Sequence, residues 1–236
     1  ILFAGMPAFL FGVAEDITKR VGVMQRLLAT MASGVLAWWI TDYSLSRLDI
    51  WGVDWFMKFT FVSVIFTAFA VGGVANSINI IDGFNGLASY FVVLALLGVG
   101  AMAMNVQDTP LAVSCLVISS AVLGFWVVNW PWGKLFLGDG GSYFLGFALA
   151  WCCVLLIERH ASISPFAVLL VCIHPVTEVL FSIYRRKLRR THIGHPDRLH
   201  LHNLIMRRLV RSRLKIKPSM SNPAAGLLLA LMSVPA

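Results

Sequence analysis

The sequence predicts an all-α fold: a polytopic integral membrane protein built as a bundle of about eight transmembrane helices. Of the 236 residues, 58% are hydrophobic and 13% are charged, whereas soluble domains carry about 25% charged residues. The mean hydropathy is +0.81. Long apolar runs alternate with polar connectors, and since one membrane helix needs about 20 residues, no sizeable soluble domain fits in the remainder.

The apolar runs define the predicted spans in chain order, and two of them are short. They cover residues 1–13, 23–41, 56–75, 87–104, 111–128, 143–157, 165–184 and 223–236. All four cysteines lie within these runs, where a thiol ordinarily packs as a small hydrophobe. The chain does not begin with Met and stops inside an apolar run. We therefore expect residues 1–236 to be a single transmembrane domain that is truncated at both ends.

The basic residues predict how the bundle is oriented. If the spans alternate, the connectors 14–26, 76–86, 129–142 and 185–222 share one face, and sixteen of the 19 Lys and Arg residues fall on them. Basic connectors of membrane proteins face the cytoplasm. We therefore interpret the net charge of +8 as a signal of orientation, and predict no nucleic-acid partner.

An acidic pair follows the first predicted span. Glu15 and Asp16 are separated from Lys19 and Arg20 by only two residues. A general base or a metal ligand requires this residue type. Adjacent carboxylates at a helix end are, however, more often ordinary solvated residues, so this motif alone is a weak signal.

A second motif lies between two apolar spans. Asn76, Asn79, Asp82 and Asn85 recur every three residues, which stacks their side chains along one side of a helix or helical turn. Amides with one carboxylate suit a nucleotide or a sugar, and the glycines after Asp82 and Asn85 allow close backbone approach. Capping and turn chemistry are the alternative, but capping does not need four such residues.

A glycine-rich segment precedes the sixth span. Asp139 lies there among three glycines and a serine. Backbone N–H groups in such a loop can cradle phosphate oxygens, and a carboxylate beside them commonly bridges Mg²⁺ to a diphosphate. The glycine spacing matches neither a Walker nor a Rossmann motif, and a plain turn remains the alternative.

The last connector combines histidines with basic residues. It contains His192, His195, His200 and His202. Zinc is not favoured, because no Cys is near and the spacing is not H-E-x-x-H. Binding of anionic lipid head groups would explain the arginines but not the histidines, whereas His, Arg and Asp together suit a diphosphate.

The four motifs share one predicted face and indicate Mg²⁺-assisted transfer on a phosphorylated, nucleotide-like substrate, with a lipid as candidate acceptor.

In this order the motifs resemble those of the polyprenyl-phosphate N-acetylhexosamine-1-phosphate transferases, glycosyltransferase family 4. They read AEDITK, NSINIIDGFNGLA, FLGDGGS and HPDRLHLHNL, and the resemblance covers nearly the whole chain. It implies transfer of a sugar 1-phosphate from a UDP-amino sugar to undecaprenyl phosphate, with release of UMP and with Mg²⁺, or Mn²⁺, as cofactor. It also implies about ten spans in a bacterial inner membrane and a cytoplasmic active site.

The resemblance further implies roles for individual residues. Asp139 would ligate Mg²⁺, and one carboxylate of the acidic pair would act as base. The implied catalytic residues are Glu15, Asp16, Asp82 and Asp139, and the implied substrate-binding residues are Asn76, Asn79, Asn85, Arg198, His200 and His202. Glu15 and Asn85 replace aspartates of the usual motifs, so the identity of the base and the contact of Asn85 with substrate stay open.

A transporter of a phosphorylated or anionic substrate is the main alternative from another class. It predicts inverted repeats and polar groups at mid-membrane, but the sequence shows no internal repeat, and among the residues at the middle of the spans only His174 and Glu178 are ionisable. A phosphatidyl-alcohol transferase would need a motif of three or four aspartates, which this chain lacks. The amino sugar, the envelope polymer (O-antigen or similar) and the oligomeric state stay open, with a homodimer among the alternatives.

Overall fold

A computed structural model describes residues 1–188 and 200–233, and the regular elements in these ranges are all helices. The predicted all-α fold is therefore confirmed. The helices are α1 (Met6–Thr18), α2 (Val23–Thr41), α3 (Val53–Met57), α4 (Thr60–Ile81), α5 (Leu87–Asn105), α6 (Thr109–Asn129), α7 (Gly138–Arg159), α8 (Pro165–Val171), α9 (Ile173–Leu188), α10 (Leu201–Ile205), a π-helix (Met206–Arg211) and α11 (Pro218–Met232).

Five helices in the described ranges are long and apolar enough to cross a bilayer: α2, α4, α5, α6 and α7. They contain 19 to 22 residues, and at about 1.5 Å per residue this matches a hydrocarbon core of about 30 Å. The protein is thus a multi-pass membrane protein. Five of the predicted spans are thus found as full-length helices, whereas α1 with 13 residues and α11 with 15 residues are shorter than a full crossing.

The predicted span over residues 165–184 is not one continuous helix. It consists of two helices, α8 and α9, that meet at an angle of 78°. Pro175 explains the break, because it has no N–H to donate to the carbonyl of Val171, the last residue of α8. Pro175 instead lies in the first turn of α9, where a missing N–H costs little.

Helix α7 forms the centre of the bundle and packs against α1, α2, α4, α5, α6 and α8. Its large side chains Phe147, Trp151 and Leu156 are fully buried. Where α1 crosses α7, the backbones touch: a Cβ atom on Gly12 would lie 2.5 Å from the Cα of Gly140. Small residues allow membrane helices to approach this closely, and the contact places the end of α1 against the start of α7.

The connectors alternate between two ends of the bundle. At one end, which we call the site end, Asp16 and Asn79 both contact residue 139. At the other, the far end, Ser46 donates hydrogen bonds to Glu158. Three of the connectors that carry the polar motifs therefore meet, and the described part of the fourth joins them where His202 lies against Gly83. Their position on the cytoplasmic side stays a prediction.

Candidate active site

Asp139, in the first turn of α7, is held by side chains from two other helices. Arg26 Nη1, in the first turn of α2, donates to Asp139 Oδ2 at 2.6 Å. Asn79 Nδ2, near the end of α4, donates to Asp139 Oδ1 at 2.9 Å and lies 2.9 Å from Ser142 Oγ. Both carboxylate oxygens therefore have defined directions, and the start of α7 is linked to α2 and α4.

Asp16 caps the beginning of α7. Its Oδ1 and Oδ2 accept the backbone N–H groups of Asp139 and Gly140 at 3.0 and 3.1 Å. A carboxylate at a helix N-terminus is favoured by the free N–H groups and the helix dipole. Gly138 is required here, because its φ is +69° and a Cβ atom would lie 2.6 Å from Asp16 Oδ2. The glycine nest predicted to cradle a phosphate thus holds the carboxylate of Asp16.

Glu15, the other member of the acidic pair, accepts the backbone N–H of Val21 on Oε2 at 2.8 Å. This bond fixes the turn between α1 and α2. The side chain is partly buried, and its second oxygen accepts no hydrogen bond from the residues that the structure describes.

Asp82 follows the last residue of α4, and no residue in the described ranges donates a hydrogen bond to its carboxyl group. Burial, together with the negative charges of Asp139 and Asp16, raises its pKa to about 7. Near neutral pH this carboxyl group is therefore present in both its protonated and its ionised form.

The two remaining asparagines of the motif lie outside the Asp139 cluster. Asn76 donates to Thr30 Oγ1 at 3.1 Å and so joins α4 to α2 one turn below Asn79. Asn85 donates through Nδ2 to the carbonyl of Pro131 at 3.1 Å, and its backbone N–H donates to Asn222 Oδ1 at 2.9 Å. Asn85 therefore links the connector to α11, and the three-residue spacing does not bring all four side chains together.

The described histidines of the last connector lie beside the connector that carries Asp82. His202 Nε2 lies so close to Gly83 that a Cβ atom there would be 2.9 Å away. The His202 ring meets the edge of Phe84 at 4.9 Å and stacks on His200 at 5.3 Å. Burial and the neighbouring His200 lower the pKa of His202 to about 4, so it is neutral at physiological pH. Arg198, His192 and His195 lie outside the described residues.

Two site residues were missed by sequence reasoning. From the sequence, Arg26 was interpreted only as one of the basic residues that orient the bundle in the membrane, and Glu178 only as an ionisable residue within a span. In the structure Arg26 pairs with Asp139, and Glu178 contacts His200 at 3.1 Å. Both carry a charge inside an apolar run, and this signal marks functional positions in membrane proteins.

The carboxylates also provide a test of whether Mg²⁺ suits this site. Within residues 1–188 and 200–233, no group of three or more His, Cys, Asp or Glu side chains is arranged to hold a metal ion. Mg²⁺, however, commonly uses one or two carboxylates plus substrate phosphates and water. No residue in the described ranges donates to Asp82, and burial together with repulsion by Asp139 and Asp16 raises its pKa. Asp82 and Asp139 thus have the residue type that Mg²⁺ prefers, in the number that it commonly takes from a protein when substrate phosphates supply other ligands.

The fold and the site together define a multi-pass membrane protein with a carboxylate-rich site at one end of a helix bundle. The model of a protein family described as Glycosyl transferase family 4 matches residues 1–157. The chain belongs to this family, as the motifs indicate.

Three similar proteins show what kinds of enzyme carry related sequences. The "Undecaprenyl-phosphate alpha-N-acetylglucosaminyl 1-phosphate transferase" of Escherichia coli (strain K12) is 29% identical over 220 residues, which are 89% of this chain and 58% of that protein. The "Probable undecaprenyl-phosphate N-acetylglucosaminyl 1-phosphate transferase" of Bacillus subtilis (strain 168) is 32% identical over 143 residues, 59% of this chain and 39% of that protein. The "Phospho-N-acetylmuramoyl-pentapeptide-transferase" of Clostridium perfringens (strain 13 / Type A) is 30% identical over 156 residues, 64% of this chain and 49% of that protein. The chain thus spans 39% to 58% of the length of these relatives.

Proposed function

We propose that the protein transfers an N-acetylamino-sugar 1-phosphate from a UDP-sugar to undecaprenyl phosphate and releases UMP, with Mg²⁺ as cofactor. The observation that carries this proposal is the cluster around Asp139, in which Arg26 and Asn79 direct a carboxylate at one end of a membrane bundle. Family membership supports the reaction class, and the names of the relatives support the lipid acceptor. We place the site on the cytoplasmic face of a bacterial inner membrane, where the reaction starts synthesis of a cell-envelope polysaccharide.

The proposed reaction exchanges one phosphoanhydride bond for another. A phosphate oxygen of the lipid attacks the β-phosphorus of the donor, and the bond from that phosphorus to the bridging oxygen breaks. UMP leaves with the electron pair, and the sugar phosphate becomes linked to the lipid phosphate. Both reactants are anions, so catalysis of such a transfer depends mainly on positioning and on neutralisation of charge.

Asp139 and Asp82 would hold Mg²⁺, which when bound would neutralise charge on the diphosphate of the donor. Arg26 provides a fixed positive charge at 2.6 Å from Asp139. Asn79 keeps the other oxygen of Asp139 oriented. These contacts use neutral and cationic donors on α2 and α4, so the carboxylate keeps its direction when substrate enters.

Asp16 and Asp82 have different roles in this proposal. Asp16 uses both oxygens to cap α7, and we assign it the role of positioning Asp139. Asp82 has no donor among the described residues, which leaves it free to ligate the ion or to accept a proton. Neutral His202, with Nε2 at Gly83 beside Asp82, would form hydrogen bonds to the diphosphate or the sugar.

The test uses the full-length protein, purified in detergent and supplied with undecaprenyl phosphate, Mg²⁺ and a panel of UDP-amino sugars labelled in the sugar. We expect label to enter the lipid phase with one donor and to stay in water after chelation of Mg²⁺. No transfer from any donor, combined with uptake of anionic substrates into proteoliposomes, would instead favour a transporter.

A further inference from the structure

Glu178 on α9 is a buried acidic residue to which the proposed reaction assigns no role. It is 8% exposed. Its Oε2 lies 3.1 Å from His200 Nδ1, and its Oε1 accepts the backbone N–H of Leu201 at 2.9 Å. Both oxygens are therefore engaged by residues that are more than twenty positions away along the chain.

The chemistry of this pair defines which atom of His200 faces away from Glu178. A carboxylate only accepts hydrogen bonds, so His200 Nδ1 must carry a proton when it pairs with Glu178. The hydrogen bond made by one ring nitrogen of a histidine sets the role of the other nitrogen. His200 Nε2 is thereby the nitrogen left for a ligand: it donates to a phosphate oxygen in the imidazolium form, which the Glu178 carboxylate favours, and accepts from a sugar hydroxyl in the neutral form.

The hydrogen bond from Leu201 to Glu178 also helps to position His202. Leu201 is the first residue of α10, and His202 follows it. His202 stacks on His200 and places Nε2 against Gly83. One carboxylate thus holds a histidine ring and the start of the short helix that carries the second histidine.

We propose that Glu178 is a positioning residue that holds the pair His200 and His202 beside Asp82 in the geometry used for the anionic part of the substrate. The substrate class rests on the proposed function, whereas the contact between Glu178 and the histidines does not. Residues that orient a functional histidine through its second nitrogen typically contribute about 10- to 100-fold to affinity or rate in metal sites, and a similar contribution is expected for Glu178.

Glu158 provides a matched control at the far end of the bundle. It is also a glutamate that accepts two hydrogen bonds, from the backbone N–H of Ser46 at 2.9 Å and from Ser46 Oγ at 2.8 Å. Glu158→Gln removes a comparable structural contact far from the histidines. Comparing it with Glu178→Gln therefore separates a loss of folding from a loss of histidine positioning.

The kinetic test compares Glu178→Gln, Glu178→Asp and Glu158→Gln in the full-length enzyme, with rates expressed per folded protein. We expect Glu178→Gln to lower kcat by about tenfold or more with a smaller effect on KM, Glu178→Asp to restore part of kcat, and Glu158→Gln to leave it unchanged. Because the amide oxygen in Glu178→Gln can still accept the Leu201 N–H, this variant acts through His200, and adding it to His200→Ala should cost no further activity. Equal kcat in the two Gln variants, or additive losses in the double variant, would overturn the proposal.

A spectroscopic test does not depend on turnover and so separates this proposal from the transferase assignment. Nitrogen NMR of ¹⁵N-histidine-labelled protein, assigned with His200→Asn, reports which ring nitrogen carries the proton. We expect protonated Nδ1 in the wild type. Loss of that signal is expected in Glu178→Gln, whose amide can donate to Nδ1. If both proteins show the same His200 signals, Glu178 does not position this ring, whether or not the wild type transfers sugar phosphate.

Discussion

Asp139 differs from the other carboxylates of the site because a cation and an amide from separate helices bind its two oxygens. The ion pair with Arg26 is partly buried, with side-chain exposures of 18% for Arg26 and 25% for Asp139. A charge-assisted hydrogen bond in such a setting is stronger than one on the surface. Neutralising Asp139 would remove the proposed metal ligand and leave Arg26 without its partner.

Asp139→Asn should lower kcat for sugar-phosphate transfer by about 100-fold or more, because removing one oriented electrostatic group from an active site typically costs about 100- to 1000-fold. The rate is measured with labelled UDP-sugar at saturating Mg²⁺. Asp49→Asn is the matched control, since Asp49 pairs with Arg47 at 2.7 Å at the far end. Wild-type turnover in Asp139→Asn would contradict the assignment.

His202 predicts a pH dependence of stability. Its pKa is about 4 in the folded protein, against an ordinary value of 6.5. Between these values the unfolded chain binds a proton that the folded protein excludes, so the free energy of unfolding decreases as pH falls from 6.5 toward 4. The contribution is about 3 kcal/mol when fully present, above pH 6.5.

The measurement is unfolding of the detergent-solubilised protein at several pH values in this window, for the wild type and for His202→Asn. His200, Glu178 and His174 also surround this ring and are present in both proteins. The difference between the two slopes therefore isolates His202. Identical slopes would show that protonation of His202 is not linked to folding.

The sequence predicts the chemical types of the site residues better than their partners. Asp16, Asn79 and Asp139 were all selected from their motifs, and the structure brings them together. The partner of Asp139 could not be predicted, because Arg26 is 113 positions away and its charge had an adequate explanation in membrane orientation. For Asn85 the motif predicted the wrong location. A three-residue spacing places side chains on a shared face only while the helix continues, and α4 ends at Ile81.

At the scale of helices, the close contact of α1 with α7 positions Asp16 under the N-terminus of α7. The contact depends on Gly12, where a Cβ atom would lie 2.5 Å from Gly140 Cα and N and 2.6 Å from the carbonyl carbon of Asp139. These are backbone atoms, which cannot move aside as a flexible side chain can. A side chain at Gly12 must therefore displace one helix from the other.

Gly12→Ala should lower both the thermal stability and kcat, the latter by about tenfold or more, because a shift of about 1 Å in a catalytic group can cost 100-fold. Gly124→Ala is the control, since a Cβ atom on Gly124 of α6 meets nothing within 4 Å. Both variants are compared by thermal unfolding in detergent and by transfer rate. Unchanged kinetics in Gly12→Ala would show that the α1–α7 contact does not position the site.

Apolar runs predict the existence of the helices well, but polar partners decide where the helices end. Helix α4 continues six residues past the predicted limit at residue 75, because Asn76 and Asn79 find partners on α2 and α7. Helix α7 begins five residues early, at Gly138, because Asp16 caps it. The break between α8 and α9 was missed because the apolar run continues through it.

Over the whole molecule, the polar motifs and the basic connectors lie at one end, and this distribution predicts the orientation in the membrane. Arg20 is exposed at the site end, and Trp51 is fully exposed at the far end. All four native cysteines are buried. Single cysteines introduced at these two positions can therefore be labelled with little background.

Arg20→Cys should react with a membrane-impermeant maleimide in inverted vesicles and not in spheroplasts, and Trp51→Cys should show the reverse pattern. Labelling is measured on the full-length protein by a gel shift, with the native protein as the background control. Reaction of Arg20→Cys from outside the cell would place the site on the wrong side of the membrane for a cytoplasmic UDP-sugar.

The measurement that tests the central claim most directly follows the β-phosphate of the donor. A UDP-amino sugar labelled with ³²P at the β-phosphorus is incubated with the full-length protein, undecaprenyl phosphate and Mg²⁺. Transfer of sugar 1-phosphate predicts that the ³²P moves into the lipid phase with the sugar, and that unlabelled UMP is released in equal amount. If the sugar enters the lipid phase while the ³²P stays in water as UDP, the enzyme transfers the sugar alone, and the proposed sugar-1-phosphate transfer is contradicted.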